Sequence, residues 1–176
     1  KLSLDGTSEV IHQRSGEIWA LSKFPGAGKK TILVSGRTEQ SVVEVGENGR
    51  PNLTLEGHSN GISATAYNAV SGDIFTASYD GTIRIWSGVS GTSLLTAEGH
   101  SDFVSGIAVS PDGKLMASTG FDKTVRCWKI AGRRLPQLVG HTEFIHDVAF
   151  SPDGKLIASA RRARVVRIWN AATGEQ

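Results

Sequence analysis

The dipeptide Gly-His occurs at Gly57-His58, Gly99-His100 and Gly140-His141, and a tryptophan stands 28 residues after each histidine: Trp86, Trp128 and Trp169. Successive histidines are 42 and 41 residues apart. A fixed period on this scale means that one supersecondary unit is repeated. Such a unit cannot bury its apolar face alone and must stack on its neighbours. One Gly-His pair carries no information; three in register with three tryptophans constrain the fold strongly.

Further positions align. Ten residues before each tryptophan stands a hydroxyl: Thr76, Ser118 and Ser159. Six residues before stand Asp80 and Asp122, but Ala163 in the last copy. Ser110-Pro111-Asp112-Gly113 and Ser151-Pro152-Asp153-Gly154 have proline second and glycine fourth, which suits a tight β-turn. The flanking runs are short and β-branched, as in 104–109 and 124–128, and read as strands. No window sustains a helical period. Each copy then holds four strands: before Gly-His, after it, after the turn, and ending in tryptophan.

This pattern resembles the WD40 repeat family, whose signature is a period of roughly 40–45 residues running from Gly-His to Trp-Asp. The pairs here read Trp86-Ser87, Trp128-Lys129 and Trp169-Asn170, so the aspartate is absent. The resemblance implies an all-β propeller with about four blades of four antiparallel strands, part of a seven-bladed one. Residues 52–91, 92–132 and 133–176 are three repeats, and the last lacks its following strand. Residues 7–51 read as a degenerate blade, with Glu17 at the histidine place and Val45 at the tryptophan place. Residues 1–6 end a preceding blade. Propellers close with about 4–8 blades, so the reading is an open stack cut at both ends. Its apolar end faces would associate. The remaining blades of a longer chain, or a second copy, would complete it.

His100, Ser118 and Asp122 have the residue types of a catalytic triad. The same set recurs as His58, Thr76 and Asp80, and an enzyme seldom needs parallel copies of its site. The resemblance implies instead buried tetrads, Asp80–His58–Thr76–Trp86 and Asp122–His100–Ser118–Trp128. In the last copy His141, Ser159 and Trp169 would lack a carboxylate, leaving the histidine less well anchored. Pro25-Gly26-Ala27-Gly28-Lys29-Lys30-Thr31 is not a phosphate-binding loop: lysine follows Gly28-Lys29, and the first glycine is replaced by Lys23. The histidines and the one cysteine, Cys127, do not make a metal site. No catalytic residue, metal or cofactor is expected.

The resemblance also places partner contacts on one rim, three and five residues after each histidine and just before the aspartate. Those positions are Gly61, Ser63 and Tyr79; Phe103, Ser105 and Phe121; and Phe144, His146 and Arg162. Exposed aromatics and arginine are what interface hot spots use, and His146 would add pH dependence at about 6–7. Arg161-Arg162-Ala163-Arg164 replaces the aspartate turn and offers an anion contact through Arg161, Arg162 and Arg164. A net charge of +2 does not by itself favour nucleic acid or membrane. The single cysteine fits an intracellular protein of cytoplasm or nucleus. The function expected is a scaffold for protein or peptide partners. A binder of acidic, phosphorylated or nucleic-acid ligands at the arginine turn is the alternative.

Overall fold

The computed structural model describes residues 18–26, 29–36, 41–45, 51–130, 133–161 and 165–176. These residues form fifteen strands in four antiparallel sheets, and no helix. The first sheet holds β1 (Ile18–Gly26), β2 (Lys29–Gly36), β3 (Ser41–Val45) and β4 (Pro51–Glu56) in sequential order. The second holds β5 (Ile62–Tyr67), β6 (Ile74–Ser78), β7 (Ile83–Trp86) and β8 (Ser93–Ala97). The third holds β9 (Val104–Val109), β10 (Leu115–Gly120), β11 (Val125–Lys129) and β12 (Arg133–Leu138). The fourth holds β13 (Ile145–Phe150), β14 (Leu156–Arg161) and β15 (Val165–Asn170). The repeat and the sheet are offset by one strand. β4 precedes Gly57-His58 yet pairs with β3, and β8 and β12 likewise pair backwards.

Pro25 and Gly26 end β1, Lys29–Thr31 begin β2, and Gly26 pairs with Lys29. A phosphate-binding loop opens a helix, and here a strand follows. Residues 1–17, which include the start of the expected degenerate blade and Glu17 at its histidine place, lie outside the described residues.

The first strands β1, β5, β9 and β13 pack each against the next, so the sheets stack in chain order. Burial follows from that stacking. All five residues of β6 are buried, because both of its faces meet a neighbouring sheet. The core lies between sheets. Leu55, Ile62, Ile74 and Trp86 fill the first interface. Phe75, Ile83, Ile85, Val104, Met116 and Trp128 belong to the second. Val125, Leu138, Ile145, Ile157 and Trp169 belong to the third. Each such large side chain contributes about 1.5–3 kcal/mol when fully buried. On β15 alternate residues, Val166 and Ile168, remain exposed.

Local chemistry explains the turns. In Ser110–Gly113 the Gly113 N–H donates to the Ser110 carbonyl at 2.9 Å, with Gly113 at φ +70°. The Ser110 hydroxyl donates to Asp112 at 2.6 Å and accepts from the Leu115 N–H at 2.9 Å. Ser151–Gly154 repeats these bonds.

Polar bonds also latch the sheets together. The Ser63 hydroxyl donates to the Val104 carbonyl and the Ser105 hydroxyl to the Ile145 carbonyl, both at 2.5 Å. Ser63 and Ser105 stand at the rim places that the resemblance assigns to partner contacts, and their hydroxyls bridge β5 to β9 and β9 to β13. His146 occupies the same place in the last repeat and is exposed. Ser105→Ala should cost about 1 kcal/mol, the net worth of a typical hydrogen bond. Chemical denaturation would read this as a lower midpoint, and an unchanged midpoint would contradict the latch.

Candidate functional site: a polar-anchored aromatic rim

The glycine before each histidine has a steric reason. Gly57 and Gly99 adopt φ +148° and +150°, which L residues rarely enter. A Cβ on Gly57 would also come within 2.7 Å of Arg84 Nη1. His58 Nδ1 lies 2.8 Å from Asp80 Oδ2, and Nε2 lies 2.7 Å from Thr76 Oγ1. Trp86 Nε1 donates to that same Thr76 oxygen at 2.9 Å. The network assigns the proton to Nδ1, which donates to the carboxylate, while the threonine hydroxyl donates to Nε2. His100, Asp122, Ser118 and Trp128 repeat the arrangement at 2.9, 2.8 and 3.1 Å.

The aspartates are tied further. Asp80 accepts from the Ser59 N–H, the Thr82 N–H and the Thr82 hydroxyl. Burial alone would raise the Asp80 pKa, but hydrogen bonds from His58 and Thr82 outweigh it and hold the carboxyl well below the usual carboxylate range. Asp122 is lowered in the same way, against its burial, by His100, Thr124 and Ser101. Arg126 lies 3.6 Å from Asp122. These carboxylates remain charged in the fold and pin the Asp turn to the residue after Gly-His.

The hydroxyls are unsuited to nucleophilic chemistry. Thr76 and Ser118 are fully buried, and each already meets a histidine and an indole N–H. No substrate atom can reach them. Cys127 is also buried, with its thiol pushed up to about 12 by desolvation, so it stays a neutral core side chain. Among the described residues no group of three or more His, Cys, Asp or Glu could hold a metal ion.

The third repeat keeps half of the network. His141 Nε2 lies 2.7 Å from Ser159 Oγ, and Trp169 Nε1 donates to Ser159 at 2.8 Å. His141 Nδ1 has no hydrogen-bond partner among the described residues. Burial, then the charges of Arg167 and Arg161, lower the His141 pKa below its ordinary value. The sign follows directly. The neutral ring is favoured in the fold, so the unfolded chain binds the extra proton. Stability from this residue is present above an unfolded pKa of about 6.5 and is lost as the pH falls toward the lower folded value. Thermal melts from pH 7.5 to 5 should therefore show a loss that His141→Asn removes. An identical pH slope in both proteins would contradict this.

On the rim, main-chain bonds fix the Asp turns against the loops after Gly-His. Tyr79 N–H donates to Gly61 O, and Phe121 N–H donates to Phe103 O, both at 2.9 Å. The aromatic side chains then meet in sequence across three repeats. Tyr79 and Phe103 have ring centroids 5.1 Å apart, and Phe103 and Phe121 5.8 Å. Phe121 and Phe144 stack at 4.8 Å and 11°, and His146 meets Phe121 edge-on at 5.9 Å. Phe103 and Phe144 are 40% and 48% exposed. Phe121, Lys123, Glu143, Phe144 and His146 line an open depression.

Lys123 is the one described non-glycine residue at positive φ, +67°. The matching residue of the previous repeat is Gly81, at φ +82°. A left-handed L residue costs roughly 1–2 kcal/mol, and this one is among the residues that line the aromatic depression. Lys123→Gly should raise stability by about 0.5–1 kcal/mol, part of the gain being offset by the freer unfolded chain. Urea denaturation would check this, and a loss of stability would contradict it.

Of the expected anion contacts, Arg161 is described and is already engaged. Its Nη1 donates to Thr142 at 3.0 Å and lies 3.5 Å from Glu143. Arg162, Ala163 and Arg164 lie outside the described residues. Arg84, Arg126 and Arg167 are further members of the repeat, each two residues before a repeat tryptophan. The Arg84 guanidinium sits 5.8 Å from the Trp86 ring centroid, and Arg126 meets Asp122. The equal spacing was the available signal.

Antiparallel sheets of three or four described strands stacked face to face, the second, third and fourth tied by a His–Ser/Thr–Trp core, define a repeat protein of the β-propeller class. The family of the WD domain, G-beta repeat, matches three consecutive segments, 49–87, 91–129 and 132–170, about two thirds of the chain. The chain belongs to the WD40 repeat family. No curated protein matches it. Repeats of this family generally mediate protein–protein interaction and are typically non-catalytic.

Proposed function

We propose that this chain is a non-catalytic scaffold that presents its rim to a protein or peptide within a multiprotein assembly. The supporting observation is the row of rings from Tyr79 through Phe103 and Phe121 to Phe144 and His146, with Phe103 and Phe144 exposed. Main-chain bonds and the buried tetrads hold the loops beneath it, so the surface is pre-organised and little ordering opposes binding. Aromatic anchors of this kind dominate interface energies. The chemistry calls for no cofactor. Further blades, of the same longer chain or of a second copy, are partners on this reading, in cytoplasm or nucleus.

Affinity capture with two variants tests it. The pair Phe103→Ala with Phe144→Ala should lose the partner that the wild-type chain recovers. The pair Lys114→Ala with Lys155→Ala, in exposed turns at the other end of the strands, should keep it. Loss from the lysine pair alone would place the contact on the opposite end. Anionic or nucleic-acid binding at Arg161, Arg162 and Arg164 is the second reading, and it predicts an affinity that falls steeply with salt. The Thr142 and Glu143 contacts of Arg161 weigh against it.

A further inference from the structure

β8 ends its sheet: one side pairs with β7, and no described strand pairs with the other. Such an edge offers unpaired N–H and C=O groups to any extended chain, and proteins usually blunt it with charge or proline. The last strands of the other sheets follow that rule in sequence, β15 through Arg167. β4 contains Pro51 and Glu56, and β12 contains Arg133, Arg134 and Pro136. β8, by contrast, reads Ser93-Leu94-Leu95-Thr96-Ala97, with neither charge nor proline. Four of its five residues are exposed, Leu94 at 55% and Leu95 at 39%.

A crevice of about 100 Å³ opens beside this edge, between the second and third sheets. Leu95 and Ala97 form one wall, and Met116, Trp128 and Ile130 form much of the other, with Lys129 at its border. A dry apolar void of roughly 150 Å³ holds benzene, so this space suits one aliphatic side chain. The edge and the crevice supply the two parts that strand-addition recognition needs: a main-chain ladder for affinity and a side-chain pocket for specificity.

We infer that β8 is a second docking site, which takes an extended segment of a partner protein as a fifth strand and seats one aliphatic side chain of that segment in the crevice. The chemistry of the edge and crevice selects this occupant: an extended main chain can replace water along the whole edge, and an uncharged aliphatic group gains from a lining of Leu95, Ala97, Met116, Trp128 and Ile130. The site lies on the outer edge of its sheet and is independent of the aromatic rim.

The test uses the full chain and a fluorescent, end-capped heptapeptide, Thr-Leu-Thr-Val-Thr-Leu-Thr, read by anisotropy. The peptide should bind. A version N-methylated at alternate amides should bind about tenfold more weakly, because it cannot complete the ladder. Leu95→Lys and, separately, Leu94→Lys should each weaken binding to a similar degree. Both residues are partly exposed, and a melting curve checks that the variants fold. Phe103→Ala should leave peptide affinity unchanged, which separates failure here from failure of the rim reading. Absence of binding, or binding indifferent to N-methylation or to both lysine variants, would overturn the inference.

Discussion

Replacing His100 with alanine should destabilise the protein by about 3 kcal/mol. The side chain is buried and connects two groups that then lose it: the Asp122 carboxylate at 2.9 Å and the Ser118 hydroxyl at 2.8 Å. Leaving a buried polar group unsatisfied costs about 1–3 kcal/mol, more for a charged one, and the cavity adds to that. The Thr124, Ser101 and Arg126 contacts of Asp122 survive and limit the loss. His141→Ala should cost less, because among the described residues its Nδ1 has no partner and no carboxylate depends on it. Guanidinium midpoints for the two variants would give the ordering, and equal losses would contradict it. The pH dependence has a defined sign. The Asp80 and Asp122 carboxyls are lowered in the fold, so their stability is present above an unfolded pKa of about 3.9 and is lost as the pH falls toward the folded values. His100→Ala removes one cause of that lowering, so the acid-side loss should shrink.

Phe103→Ala, Phe144→Ala and Arg162→Ala should each weaken partner binding by about 2 kcal/mol, roughly thirtyfold, and leave folding largely intact. The two phenylalanines are exposed by nearly half, so their truncation removes little core. Their effects should not add. Phe121 touches both rings, at 5.8 Å from Phe103 and 4.8 Å from Phe144, and residues sharing a partner couple. A double-mutant cycle at Phe103 and Phe144 should show that coupling. Strict additivity would mean that the rings act as separate anchors. Lys114→Ala and Lys155→Ala are the controls.

The repeat made most of the fold legible. A period of 41–42 residues with fixed Gly, His, Ser/Thr and Trp places requires stacked copies, and strand positions follow from the turns between them. Register offset was not legible, because nothing in the repeat says whether the strand before Gly-His joins its own sheet or the preceding one. Spacing showed that the His, Ser/Thr, Asp and Trp places recur together, and the family resemblance implied that they join in buried tetrads, in which each polar group is partnered. Side-chain direction could not. Ser63 and Ser105 stand at the same repeat place as His146, yet the two serines reach the neighbouring sheet and the histidine is exposed. The strain at Lys123 was hidden as well: its backbone sign appears only when it is set against Gly81. The unprotected edge of β8 was written in composition, but its meaning depends on which strands end a sheet.

Hydrogen exchange of the chain with and without an identified partner tests the scaffold reading most directly. Bound partner should slow exchange in the loops at 100–104, 120–123 and 142–146, around the aromatic row, and leave the turns at 110–115 and 151–155 unchanged. Protection confined to those turns, with the aromatic loops exchanging as in the free chain, would contradict the account.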